Sequence, residues 1–147
     1  MELQSRVLVD RSVDEVFSRL ADLELSPAWA VASGVIERRK LTDGPVGRGT
    51  RFQALDQLLP GRPLRFVVEI TEFEPDRYIA ANWSEPIRGG WNARFQPRNG
   101  STELTFTAEM HPTGVLRLIA PVIGAVARRA MKKDLANFKV WVESTPG

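Results

Sequence analysis

The sequence predicts an α+β fold: an antiparallel sheet with one apolar face, covered by a long C-terminal helix. Three observations lead there. Between Val31 and His111, short runs rich in Val, Ile, Phe, Thr and Trp are separated by turn residues at Asp43-Gly44-Pro45, Pro60-Gly61-Arg62-Pro63, Glu74-Pro75-Asp76, Gly89-Gly90 and Arg98-Asn99-Gly100. These connections are too short for parallel crossovers, which need about a dozen residues, so successive strands pair as hairpins. From Val115 onward the apolar residues recur at helical spacing instead.

Taken in order, Leu3, Ser5, Val7 and Val9 alternate with Gln4, Arg6, Leu8 and Asp10, the pattern of a strand with one better-buried face. Ser12-Val13-Asp14-Glu15 reads as a capping box, with Ser12 capping a helix and Glu15 reaching back. Val13, Val16, Phe17 and Leu20 then follow at helical spacing. A second short helical piece, Asp22 to Leu25, is expected to stop at Ser26-Pro27, because the residue before a proline avoids helical angles. Strands are expected at 33–41, 49–58, 64–73, 77–84, 90–97 and 102–111. The last segment, Val115 to Ser144, would form a helix about 45 Å long. Leu116, Ala120, Ile123, Ala127, Met131, Phe138 and Trp141 share one sector of it, and Arg128, Lys132, Lys139 and Glu143 lie opposite. Pro121 should kink this helix or mark its true start after a short lead-in turn.

Composition narrows the function classes. The chain has 147 residues, 43% hydrophobic and 26% charged, which fits one domain, residues 1–147, with a sizeable core. The absence of cysteine excludes disulfides, thiolate chemistry, zinc ribbons and iron–sulfur clusters. A single histidine argues against most triads and transition-metal sites, and neither a metal nor an organic cofactor is expected. Net charge is +2 with both signs mixed along the chain, unlike the concentrated positive charge of a nucleic-acid binder. Charges in MELQSRVLVDRSVDE occupy the place of a signal's apolar core, so a cytoplasmic location is expected. The longest apolar stretch, Val115 to Ala127, is interrupted by Arg117 and too short for stable membrane insertion.

The order strand, two short helices, six strands, long helix resembles the START-like, or SRPBCC, superfamily of polyketide cyclase/dehydrase and lipid-transport proteins. The residues that carry the resemblance are Val9-x-x-Ser12-x-x-x-Val16-Phe17, Pro27-x-Trp29, Gly47-x-Gly49-Thr50-x-Phe52, Phe73-x-Pro75-x-Arg77, Gly100-x-Thr102-x-Leu104 and Leu135-x-x-Phe138-Lys139. It covers nearly the whole chain. It implies a helix-grip fold, in which a seven-stranded antiparallel sheet curls around the long helix and encloses a cavity for an apolar ligand. Aromatase/cyclases, ligand and lipid carriers, hormone receptors and chaperone activators share that fold, so it fixes architecture more than activity.

Within that frame the small residues on the first half of the helix, Ala120, Gly124, Ala127 and Ala130, leave room under the sheet, whereas Met131, Leu135, Phe138 and Trp141 fill it. The expected cavity is walled by Phe52, Phe66, Trp83, Trp91, Phe95, Phe106 and Met110, with Trp29 at its rim, Ala127 facing it and Phe138 with Trp141 as its plug. The rival is close packing, with Gly124 and the alanines letting helix and sheet touch. Asp134 falls inside the apolar sector, where an unpaired carboxylate is costly; its partner is expected from a strand arginine, from Asn137 or from water near the cavity floor. Asp56 and Asn82 are weaker candidates of the same kind. His111 shares parity with Thr105, Thr107 and Glu109 and is expected to point away from the apolar face. Arg128, Arg129, Lys132 and Lys133 read as a solvated basic face, with an anionic membrane surface or an acidic partner as the functional alternative. Gly44-Pro45-Val46-Gly47-Arg48-Gly49 lacks the Lys-Ser/Thr of a phosphate loop.

Three function classes follow. A hydrophobic small molecule (polyketide-, aromatic- or lipid-like) is bound without chemistry, or it is cyclised or dehydrated, or the domain is an interaction module. The chain is expected to be a monomer or homodimer.

Overall fold

Strand β1 (Glu2–Val9) leads into helix α1 (Val13–Ala21) and a 3-10 helix (Leu23–Ala28), after which β2 (Val35–Lys40), β3 (Arg51–Asp56), β4 (Leu64–Glu74), β5 (Tyr78–Trp83), β6 (Gly89–Arg98) and β7 (Ser101–Met110) follow. A 3-10 turn (Gly114–Arg117) then precedes helix α2 (Ala120–Ser144). The computed structural model describes residues 1–57 and 60–146. Leu58, the end of the strand expected at 49–58, lies outside the described residues.

The seven strands form one antiparallel sheet in the order β1-β7-β6-β5-β4-β3-β2. The chain therefore starts at one edge, crosses to the other through α1 and the 3-10 helix, and meanders back. Two register shifts bend the sheet, one between Val35 and Glu37 and one between Ile70 and Glu72. An extra residue at each point turns the following side chain to the other face and increases the local twist.

Helix α2 bridges the two edges of this curled sheet. On one flank it follows β1: Lys139 Nζ donates to the Leu8 carbonyl at 2.7 Å, and Glu143 accepts the Asp10 N–H at 2.7 Å. On the other flank Asn137 Nδ2 donates to the Trp29 carbonyl at 3.3 Å, and Asp134 holds the loop just before β2. The main core gathers on the concave side around Val9, Phe52, Ile70, Ile79, Leu104 and Phe138, all fully buried, with α1 contributing Val16, Phe17 and Leu20. Each such side chain contributes about 1.5–3 kcal/mol by leaving water.

Local differences from the sequence reading have physical causes. Ser12 does occupy the N-cap of α1, but its hydroxyl makes no cap bond. It bonds the carboxylate of Asp14, which lowers that group's pKa, and Glu15 pairs with Arg11 at 3.2 Å instead of reaching back. The helical piece does not stop at Ser26-Pro27 but continues to Ala28 with Pro27 inside it. Here the winding is 3-10, with i→i+3 bonding. Pro121 sits in the first turn of α2, behind the 3-10 lead-in, where a missing N–H costs nothing.

Candidate functional site

The concave face is packed at one end and open at the other. Along β4, β5 and β7, Ile70, Ile79 and Leu104 are fully buried. Further along the same face Phe66, Trp83, Phe106 and Met110 are only partly covered, as is Trp91 on β6. Beneath these rings lies a small second apolar cluster, Ala54, Val68 and Ala81, buried but separate from the main core, with Phe66, Trp83 and Trp91 packed against it. Small residues on the floor and large flat ones around it make a concave, apolar surface. Phe66 and Trp83 are tilted with centroids 6.1 Å apart, and Trp91 stacks on Phe106 at 5.3 Å. In the first half of α2, Ile123, Ala127 and Ala130 are half-buried.

Gly124 and Ala127 differ in their surroundings. A Cβ on Gly124 would lie 2.7 Å from Met1 Sδ, so the helix does touch the start of β1 there. Ala127, about one turn further along, is half-buried.

One ion pair sits on the same inner surface. The shift between Val35 and Glu37 places Arg38 opposite Ala54, on the face of Phe52, Ala54 and Asp56. Its guanidinium meets the Asp56 carboxylate in a bidentate pair, Nη1–Oδ1 2.5 Å and Nη2–Oδ2 3.2 Å, with side chains 12% and 8% exposed. Arg38 also lies over the Phe66 ring at 5.7 Å, a cation–π arrangement. Asp56 was a weak candidate in the sequence; Arg38 was missed. Arg38 follows the register shift in β2, which leaves no periodic signal in the sequence.

Other expected site residues fall elsewhere. Phe52 is enclosed in the main core, and Phe95 lies there too, edge-on to Phe17 at 5.1 Å. Trp29 packs edge-on against Phe138 at 5.0 Å in the same core, its indole N–H buried without a partner among the described residues. Phe138 and Trp141 adjoin at 6.1 Å beneath this end, and Arg19 lies over the Trp141 ring at 5.3 Å.

Asp134 is bound neither by a strand arginine nor by Asn137. Its two oxygens accept the backbone N–H groups of Ala32 at 2.8 Å and Ser33 at 2.9 Å, clamping the loop between the 3-10 helix and β2 to α2. Burial raises its pKa, and the bonds from the Ser33 hydroxyl and the two N–H groups oppose that rise without cancelling it. The loop is locked from its other side as well: Gly34 has φ +80°, and a Cβ there would run into the Gln57 carbonyl.

Asn82 and His111 lie on the outer face. There a polar recess of about 790 Å³ includes Arg51, Glu69, Tyr78, Arg88 and Glu109. His111 is exposed, 3.9 Å from Glu109, as its parity implied.

A curled seven-stranded sheet gripping a C-terminal helix is the architecture of START-type helix-grip proteins. The chain belongs to the polyketide cyclase/dehydrase and lipid transport family, which matches residues 1–143. TTHA0849 from Thermus thermophilus superposes with a TM-score of 0.80 at 16% identity, covering 97% of each chain. A START superfamily protein from Mycobacterium smegmatis gives 0.78 at 15% identity, again over 97% of each. The di-domain ARO/CYC BexL from the BE-7585A biosynthetic pathway gives 0.70 at 18% identity, over 97% of this chain and 46% of that one. Identities this low establish a common fold alone. No curated protein is significantly similar in sequence.

Proposed function

We propose that the chain binds a hydrophobic small molecule, polyketide-, aromatic- or lipid-like, between the open end of the concave face and the first half of α2. The observation that carries this reading is the separate patch of Ala54, Val68 and Ala81 ringed by half-exposed Phe66, Trp83 and Trp91. Aromatic rings left partly wet around a floor of small side chains offer the apolar, shaped surface that ligand sites use. Phe106 and Met110 extend it along β7, and in this reading half-buried Ala127 closes it from α2. Native mass spectrometry of the purified protein tests the reading. A retained organic molecule, lost on substitution of Ala127 by Leu, is the expected result. A ligand-free spectrum that remains so after incubation with fatty acids and polycyclic phenols contradicts it.

The Arg38–Asp56 pair favours a second reading, in which the bound molecule is also transformed. A guanidinium held by a carboxylate on an apolar wall presents N–H donors to carbonyl oxygens, and a polyketide-like chain carries many. Orienting such a chain supplies much of the rate of a ring closure. The likeness to the aromatase/cyclase BexL is in keeping with this reading. Conversion of a poly-β-ketone that stops with Arg38→Met, while binding persists, would place this chain among the cyclases. Binding without conversion makes it a carrier.

A further inference from the structure

The outward side of the segment from Val115 to Val126 is apolar and exposed. Val115, Leu118, Val122 and Val126 are 78%, 82%, 65% and 62% exposed, and Ile119 joins them. In α2, Val122, Val126, Arg129 and Lys133 stand at i, i+4, i+7 and i+11, so one exposed helix face passes from aliphatic to cationic. Arg117, Arg128 and Lys132 flank it. From His111 to Lys133 there is no Asp or Glu, although the chain as a whole holds 18 of them against 20 Lys and Arg. The other face of the same helix is occupied: Gly124 meets Met1, and Met131, Leu135 and Phe138 are buried.

From this we infer that the Val115–Lys133 segment adsorbs to the surface of an anionic lipid bilayer. Aliphatic side chains exposed on a convex helix, bordered by cations with no acid among them, match an interface whose headgroups are negative and whose next layer is hydrocarbon. A second copy of the chain fits less well, since a symmetric contact through this face would bring two sets of like charges together. No helix among the described residues is long and apolar enough to cross a membrane, so the contact is adsorption. Because Gly124 meets Met1, adsorption sets the start of β1 near the bilayer. The inference does not depend on what the concave face binds.

Flotation with vesicles tests it directly. The intact protein should rise with phosphatidylcholine–phosphatidylserine vesicles at low salt, remain behind with phosphatidylcholine alone, and be released as salt is raised. Leu118→Asp/Val122→Asp and Arg129→Glu/Lys133→Glu should each weaken binding about tenfold or more. Because these positions are exposed, the melting temperature should stay unchanged and serve as the folding control. Absence of binding to the anionic vesicles overturns the inference, as does binding by both variants equal to that of the intact protein. Sedimentation showing a dimer that Val122→Asp dissociates would assign the face to self-association and also overturn it.

Discussion

Trp91 and Phe106 stack across β6 and β7 with ring centroids 5.3 Å apart and planes 21° from parallel, yet both rings remain partly exposed. A stacked pair of this kind ordinarily closes a core. Here it forms part of a wall that nothing among the described residues covers fully, while Leu104 on the same face of β7 is completely enclosed. The pair packs against the main core on one side and borders the surface proposed to hold a ligand on the other.

Ala127→Leu tests the open space. With room beside Ala127, the added volume should cost under about 1 kcal/mol, against about 1–3 kcal/mol for overpacking a filled interface. Urea denaturation measures the cost, and ligand retention should fall in the same variant. A strongly destabilised variant would show that helix and sheet are packed there.

Phe138→Ala should be far more damaging, by about 3–5 kcal/mol, because Phe138 is fully buried between Trp29 and the sheet core. Thermal unfolding of both variants side by side reads out the two halves of α2. Similar losses in the two would contradict the division.

The Arg38–Asp56 pair should behave as a nearly buried ion pair. Arg38→Ala leaves a carboxylate without its partner and should cost about 3–5 kcal/mol, whereas Arg38→Met/Asp56→Leu should be near neutral. Equal losses in the single and double variants would mean that the guanidinium acts by packing on Phe66 instead.

Asp134 gives a pH dependence of definite sign. Burial raises its folded pKa above the unfolded value of about 3.9, so the native state holds the proton longer. The stability it contributes is full below the unfolded pKa and declines as pH rises through the folded one. The cost of Asp134→Asn, from urea melts across the acid range, should therefore be largest in acid and shrink as pH rises. A cost that grows with pH would show that the two loop N–H groups outweigh burial.

The strands, their hairpin connections and the long helix were legible because period two and period 3.6 survive in the sequence and the turns between strands are short. Leu104, Phe106, Ala108 and Met110 alternate cleanly and lie on one face of β7 as expected. Arg38 was not legible, because a bulge reverses strand parity without altering residue type. The partner of Asp134 was hidden for a related reason: every residue but proline carries a backbone N–H, so residue types give that partner no signature. Phe52 and Phe95 share the apolar parity of the wall residues, but parity names a face and not a position along it. Which end of that face is filled depends on where α1 and Phe138 pack.

The central claim is that the open end of the concave face takes an apolar ligand. Methyl NMR during titration with a long-chain fatty acid or a polycyclic phenol measures it most directly. The account predicts shifts at the Ala54, Ala81 and Ala127 methyls, with those of Ile79 and Leu104 nearly still. Shifts confined to the outer face around Val67 and Ala80, or none anywhere, would contradict it.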